Sequence, residues 1–228
     1  MAPPARPLPM NPDAPSPSLA GPSSTDDWPT LSNDLLQGLV HALNNRLSAL
    51  GALMELARLR DERVDPLAEL PSEIAQLQGL TGLFALLPER RADAEALELS
   101  AALADAVRLH EHHLRLRTGR CEVHYEGTPA PVRAPRWALV RTLVMLVHAA
   151  KRSGEATNER RAAPIIVRSD ESAVSVYVRS AADASQDLLA AGERAGGEFT
   201  RQGDLLVFRI PTLGELRRRE REARGARG

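Results

Sequence analysis

Hydrophobic and polar positions change rhythm three times along the chain. Up to residue 30 the apolar residues are scattered among prolines, serines and aspartates and keep no period. Order begins at Leu31, and a helical rhythm sets in. Leu36, Val40, Leu43, Leu47, Leu50, Met54 and Ala57 follow at steps of 4, 3, 4, 3, 4 and 3. A seam sustained in this way predicts a long helix packed in a bundle or coiled coil. Ser32 or Asn33 can cap it, Asp34 suits its first turn, and it runs to about Glu62. Gly38 and Gly51 each cost about 1 kcal/mol of helix propensity, so each reads as a place of close approach by a partner. Asp65-Pro66 opens a second helix, with proline at the first helical position, where its missing N–H does no harm. Its stripe is Leu67, Leu70, Ile74, Leu77, Leu80, Phe84 and Leu87, and Pro88 closes it. A short link between two amphipathic helices predicts an antiparallel hairpin. Dimerisation into a four-helix bundle would cover the apolar edge that one pair leaves bare.

From about Ala94 the rhythm alternates between helical and extended. Helices are predicted over 100–116, 136–152 and 185–195, and strands over 121–125, 165–168, 174–179, 198–201 and 205–210. Asp170-Glu171-Ser172 and Gln202-Gly203 mark turns, and Gly196-Gly197 ends the third of these helices. The fold class is α+β: a helical hairpin, then one sheet with helices on one face. The chain divides into a leader (1–30), a hairpin (31–90), an α+β domain (94–213) and a charged tail (214–228).

Composition narrows the picture. The leader holds nine of the seventeen prolines and cannot bury enough apolar surface to offset its ordering entropy, which predicts disorder. Lys+Arg 29 against Asp+Glu 30 leaves a net charge of -1, which argues against a nucleic-acid partner. The tail's six arginines and three glutamates read as a frayed, solvated helix. A single cysteine, Cys121, excludes an intrachain disulfide and multi-cysteine metal sites, and fits a reducing compartment. No apolar run reaches membrane-span length, and no secretory signal pattern opens the chain, so the expectation is a cytoplasmic protein without a membrane partner.

His41 is the leading candidate for chemistry. In the heptad frame it falls at a b position and Asn45 at an f position, both off the seam and facing water. The string His41-Ala42-Leu43-Asn44-Asn45-Arg46-Leu47 resembles the H-box of sensor histidine kinases in its H-x-L-N-N-x-L variant. The order of later elements is similar too, from Leu97-Glu98-Leu99-Ser100 through Val132-Arg133-Ala134-Pro135-Arg136-Trp137 to the closing hairpin before Pro211. The resemblance implies a phosphorylated histidine on a dimerising hairpin, followed by a Bergerat-type α/β sandwich. It also implies losses. His148 stands where the family's Mg²⁺-holding asparagine is expected, and Val144 stands four residues earlier. Ser180-Ala181-Ala182 replaces the Asp-x-Gly turn that reads adenine, and no glycine-rich lid follows before Ala191. Ala42 occupies the place of the acidic residue after the histidine, which removes a general base. Asn45 is kept, and an i,i+4 pair shares a helix face.

The combination resembles dimeric, pseudokinase-type histidine phosphotransferases. It implies phosphoryl relay between receiver-domain aspartates through His41, with Asn45 orienting the group. It implies no cofactor on this chain, Mg²⁺ being held by the partner receiver. Asn44, Ser48 and Ala52 on the flank below His41 are the expected receiver-docking residues. Alternatives are a non-catalytic scaffold for a receiver or kinase, and a receiver phosphatase in which Asn45 places a water. The remaining candidates read as structural: His110, His112 and His113 as an exposed polar face, His124 as a sheet-surface residue, His148 as partly buried and satisfied, Cys121 as an inert thiol.

Overall fold

The computed structural model describes residues 27–59, 66–89, 92–116, 121–156, 164–180 and 182–226. Residues 1–26 of the predicted 1–30 leader and the helix end at 60–62 lie outside them, and the leader's last three residues, Trp28, Pro29 and Thr30, are helical. Helix α1 (Trp28–Leu59) starts three residues ahead of Leu31. Its cap is Asp27 rather than Ser32 or Asn33: Asp27 Oδ1 accepts the Thr30 N–H at 3.0 Å, and bonding to Thr30 lowers the Asp27 pKa. Pro29 sits in the first turn, where its missing N–H would have had no helical partner.

The stripe that α1 buries also differs from expectation. Trp28, Leu31, Leu35 and Leu39 are 8 % exposed or less, whereas the seam residues Leu36, Val40, Leu47 and Met54 remain 43–58 % exposed. Helix α2 (Pro66–Phe84) packs beside α1. Leu80 and Leu83 are its buried residues, and Arg46 on α1 pairs with Glu73 on α2 at 3.3 Å.

The remainder is a mixed sheet under a helical layer. Strand β1 (Glu95–Leu97) leads into α3 (Leu99–His110), which ends six residues before the predicted 116. Strand β2 (Val123–Glu126) and strand β3 (Val132–Ala134) follow, and β3 pairs antiparallel with β1 in a two-stranded sheet that periodicity did not predict. Two three-residue strands are too short to show alternation. Helix α4 (Arg136–Ala156) is buried nearly all round between Ala138 and Ala150.

Then come β4 (Ile165–Ser169), β5 (Ala173–Arg179), α5 (Gln186–Arg194), β6 (Glu198–Gln202) and β7 (Leu205–Pro211). The main sheet runs β2-β4-β5-β7-β6, parallel between β2 and β4 and antiparallel elsewhere. Val174, Val176 and Val178 face Ile210, Phe208 and Leu206 across β5 and β7, and all six are buried. Helix α4 packs on β5, with α3 and α5 on its flanks. At the end of α5, Gly196 adopts φ +81°, a left-handed conformation that L side chains rarely take.

Helix α6 (Leu213–Gly225) is capped rather than frayed at its start. Thr212 Oγ1 accepts the Glu215 N–H at 3.1 Å, and buried Glu215 pairs with Arg218 and Arg219. No helix among the described residues is long and apolar enough to cross a membrane.

Candidate functional site

Asp34, Gly38, His41 and Asn45 follow one another on α1 at steps of 4, 3 and 4, and so share one face of the helix. His41 and Asn45 are exposed. Asn45 Nδ2 lies 3.3 Å from His41 Nε2. An amide nitrogen only donates, so in this contact Nε2 carries the ring's lone pair and Nδ1 its proton. Asn44, Ser48 and Ala52 are exposed as well, and their spacing of four continues the same open flank toward the C-terminal end of α1. Arg46, on the opposite side, is tied down by Glu73 and leaves the flank clear.

The other end of this face is covered. An ideal Cβ on Gly38 would lie 1.6 Å from the backbone carbonyl oxygen of His112, so only glycine admits the contact. Close approach thus occurs at Gly38, but to the chain's own turn after α3 rather than to a partner helix or a docked protein. Gly51 has nothing within 4 Å of a Cβ position. Beside Gly38, His113 Nε2 stands 3.6 Å from Asp34 Oδ2.

The histidines after α3 are not an exposed polar face. His110 is fully buried and His113 is 4 % exposed; only His112 is partly open. The sequence held the signal: Leu99, Leu103, Ala106, His110 and His113 run at steps of 4, 3, 4 and 3, which puts both histidines on the buried stripe. His110 Nε2 meets His148 Nδ1 at 3.1 Å, and the rings of His110, His113 and His148 lie 5.2–5.4 Å apart. Burial, reinforced by His148, Lys151 and His113, pushes His110 down to about 2, so it is neutral in the fold. His113 is lowered by burial as well. Buried Lys151 donates to the Leu116 carbonyl at 3.3 Å. Burial raises Cys121 to about 11, which suits an inert thiol. No group of three or more ligating side chains among the described residues could hold a metal ion.

A cavity of about 140 Å³ lies between α1, α4 and α5, lined among others by Leu31, Met145, His148, Ser180, Asp183 and Leu188. Leu31 reaches it from the first turn of α1, next to Trp28. The Trp28 N–H donates to Asp187 Oδ2 at 2.8 Å, and the Arg141 guanidinium lies 4.6 Å from the Trp28 ring centroid. On the far side Arg201 donates to the carbonyls of Ser180 and Ala182 at 3.0 and 2.9 Å and holds the end of β5 in place. Periodicity carried no signal for Arg201, which acts across two strands.

No family model matches the sequence, and no curated protein matches it. Among solved structures the chain is similar to the histidine kinase ThkA in complex with the response regulator protein TrrA, with a TM-score of 0.42, 18 % identity, and 77 % of this chain and 60 % of that one covered. It is also similar to the Acinetobacter baumannii histidine kinase AdeS, with a TM-score of 0.37, 16 % identity and coverages of 75 % and 96 %. A third likeness is to the cytoplasmic segment of histidine kinase QseC, with a TM-score of 0.38, 10 % identity and coverages of 54 % and 80 %. At overlaps this loose, the functional reading rests on the chain's own residues.

Proposed function

We propose that this chain is a histidine phosphotransferase of a two-component phosphorelay, passing phosphoryl groups between receiver-domain aspartates through His41 without binding ATP. The observation that carries the reading is the His41–Asn45 pair, 3.3 Å apart on an exposed helix face, continued by the small side chains of Asn44, Ser48 and Ala52. The neutral ring's Nε2 lone pair attacks the phosphorus of an aspartyl phosphate in line. The P–O bond to the aspartate breaks, the carboxylate leaves with the electron pair, and the phosphorylated ring sheds its Nδ1 proton to water. Transfer to a second receiver is the reverse step. Asn45 orients first the imidazole and then a phosphoryl oxygen. Mg²⁺ belongs to the receiver, and this chain contributes position and a docking surface.

The second domain is read as a degenerate kinase ATPase domain. A nucleoside triphosphate calls for a pocket in the range of roughly 300–1,000 Å³, against about 140 Å³ here. Leu31 intrudes from α1, and His148 and Ser180 line the walls in place of carboxylate and amide ligands. The 43–58 % exposure of Leu36, Val40, Leu47, Met54 and Ile74 supports a homodimer in which two helical pairs form a four-helix bundle. A cytoplasmic location follows from receivers as partners.

The test is phosphoryl transfer from labelled phospho-receivers, and separately from labelled Mg²⁺-ATP. Acid-labile, base-stable label is expected from a receiver only, and none after His41→Gln, whose fold and dimer stay intact. Label from ATP would restore an autokinase. Free phosphate without label would favour the phosphatase role of Asn45, and neither label nor phosphate a scaffold.

A further inference from the structure

The turn formed by residues 112–116 stops where His41 begins. It covers Asp34 and Gly38 on the shared face of α1 and leaves the next two positions, His41 and Asn45, open. One side chain organises it. The backbone N–H groups of Arg115 and Leu116 both donate to His113 Nδ1, at 3.2 and 3.1 Å. With Nδ1 accepting twice, the neutral ring carries its proton on Nε2, the nitrogen that faces Asp34 at 3.6 Å. A single buried imidazole thus closes the turn with one nitrogen and sets the other 3.6 Å from Asp34 Oδ2 on α1. Behind it the His110–His148 pair packs against the same ring, and Lys151 holds the Leu116 carbonyl. Leu114, 40 % exposed, and Arg115 project from the turn into solvent.

We propose that His113 is a positioning residue for the His41 site: it holds the 112–116 turn against α1 one helical turn ahead of His41, so that Leu114 and Arg115 become the second domain's share of the surface that a receiver meets. This rests on the phosphotransfer reading and adds to it a contact surface outside the α1 flank. The turn acts on docking and leaves the reactivity of the imidazole alone, so the two are separable.

Each receiver domain of the source genome, charged with acetyl phosphate, is offered to the full-length protein, and one that labels His41 is carried forward. His113→Asn keeps an acceptor close to the Nδ1 position, whereas His113→Leu removes it. Gly38→Ala forces the His112 carbonyl away without touching His113 or His41. Transfer from the receiver is expected to fall between about ten- and 100-fold in His113→Leu and Gly38→Ala, the size of loss that a misplacement of about 1 Å produces. His113→Asn should recover most of it. Labelling of His41 by phosphoramidate, which needs no docking, should stay at the wild-type rate in all three. Amide exchange at Arg115 and Leu116 should be slow in wild type and His113→Asn and fast in His113→Leu. If His113→Leu does not fold, Gly38→Ala decides the matter alone. Wild-type transfer rates in Gly38→Ala and in any folded His113→Leu would overturn the positioning role and leave the phosphotransfer reading standing. Equal losses with receiver and phosphoramidate would overturn it too, by moving the effect to His41 itself. If no receiver labels His41 while phosphoramidate does, it is the phosphotransfer reading that falls.

Discussion

Helix α1 carries two apolar stripes of similar chemistry and different fate. Trp28, Leu31, Leu35 and Leu39 are sunk into the second domain at 8 % exposure or less. Leu36, Val40, Leu47 and Met54, about a quarter to a third of a turn away, keep about half their surface in water. Sequence rhythm picks out the second stripe, because its heptad steps are the longer and more regular run. The structure gives the core to the first, which is flanked by groups that meet the second domain: the Trp28 N–H with Asp187, the Trp28 ring with Arg141, Asp34 with His113, and Gly38 with the His112 carbonyl. The inner stripe builds the protomer. The outer one stays in water along the protomer's surface.

The comparison is broken most severely by a charge. Leu35→Asp places an unpaired carboxylate at a fully buried position, which costs several kcal/mol. Loss of the cooperative melting transition is expected at any protein concentration. Leu47→Asp, at a position 51 % exposed in the protomer, should leave the fold and helicity of the dilute protein unchanged while abolishing self-association. Sedimentation at micromolar concentration, paired with circular dichroism, separates the two. Unfolding in both variants, or in neither, would erase the distinction between the stripes.

A smaller effect is expected from acid. His110, pushed down to about 2 from 6.5, is neutral in the fold and charged in the unfolded chain below 6.5. The unfolded state then binds more protons, so stability rises with pH. The contribution is full above about 6.5 and is lost as pH falls toward 2, by up to about 1.4 kcal/mol per unit. His113, also lowered, acts in the same direction. Asp27 and Asp170, lowered from their ordinary 3.8, and Glu126, lowered from 4.5, give way only in more acid solution, so the fall just below pH 6.5 belongs to the histidines. The melting temperature should fall across that window and fall less in His110→Gln. A flat profile in the wild type would contradict the buried, neutral ring.

The smallest effect sharpens the contrast between the two glycines of α1. Gly51→Ala should stabilise the protomer by about 0.5–1 kcal/mol, since the site is helical and nothing lies within 4 Å of the new Cβ. Thermal melts of the dilute protein measure it. Destabilisation there would point to a neighbour that the protomer does not contain.

Much was legible from local pattern alone. Local pattern fixed where α4, β4, β5, β6 and β7 lie to within a few residues: β5 and β7 write a buried face into their spacing, and α4 is an apolar run too long for a strand. The exposed His41–Asn45 pair was legible for the same reason: residues off a seam face water, and four residues apart they meet. Three things required the tertiary structure. The seating of the first turn of α1 involves Asp187 and Arg141, which meet Trp28 from more than a hundred residues away in sequence. The pairing of β1 with β3 joins strands of three residues each, too short to carry a period. The end of α3 and the shape of the turn after it depend on His113, whose ring takes two backbone N–H groups that would otherwise have continued the helix. Periodicity reports which face is buried. It does not report what a side chain touches once buried, and at His110, His113 and His148 that contact decides the local structure.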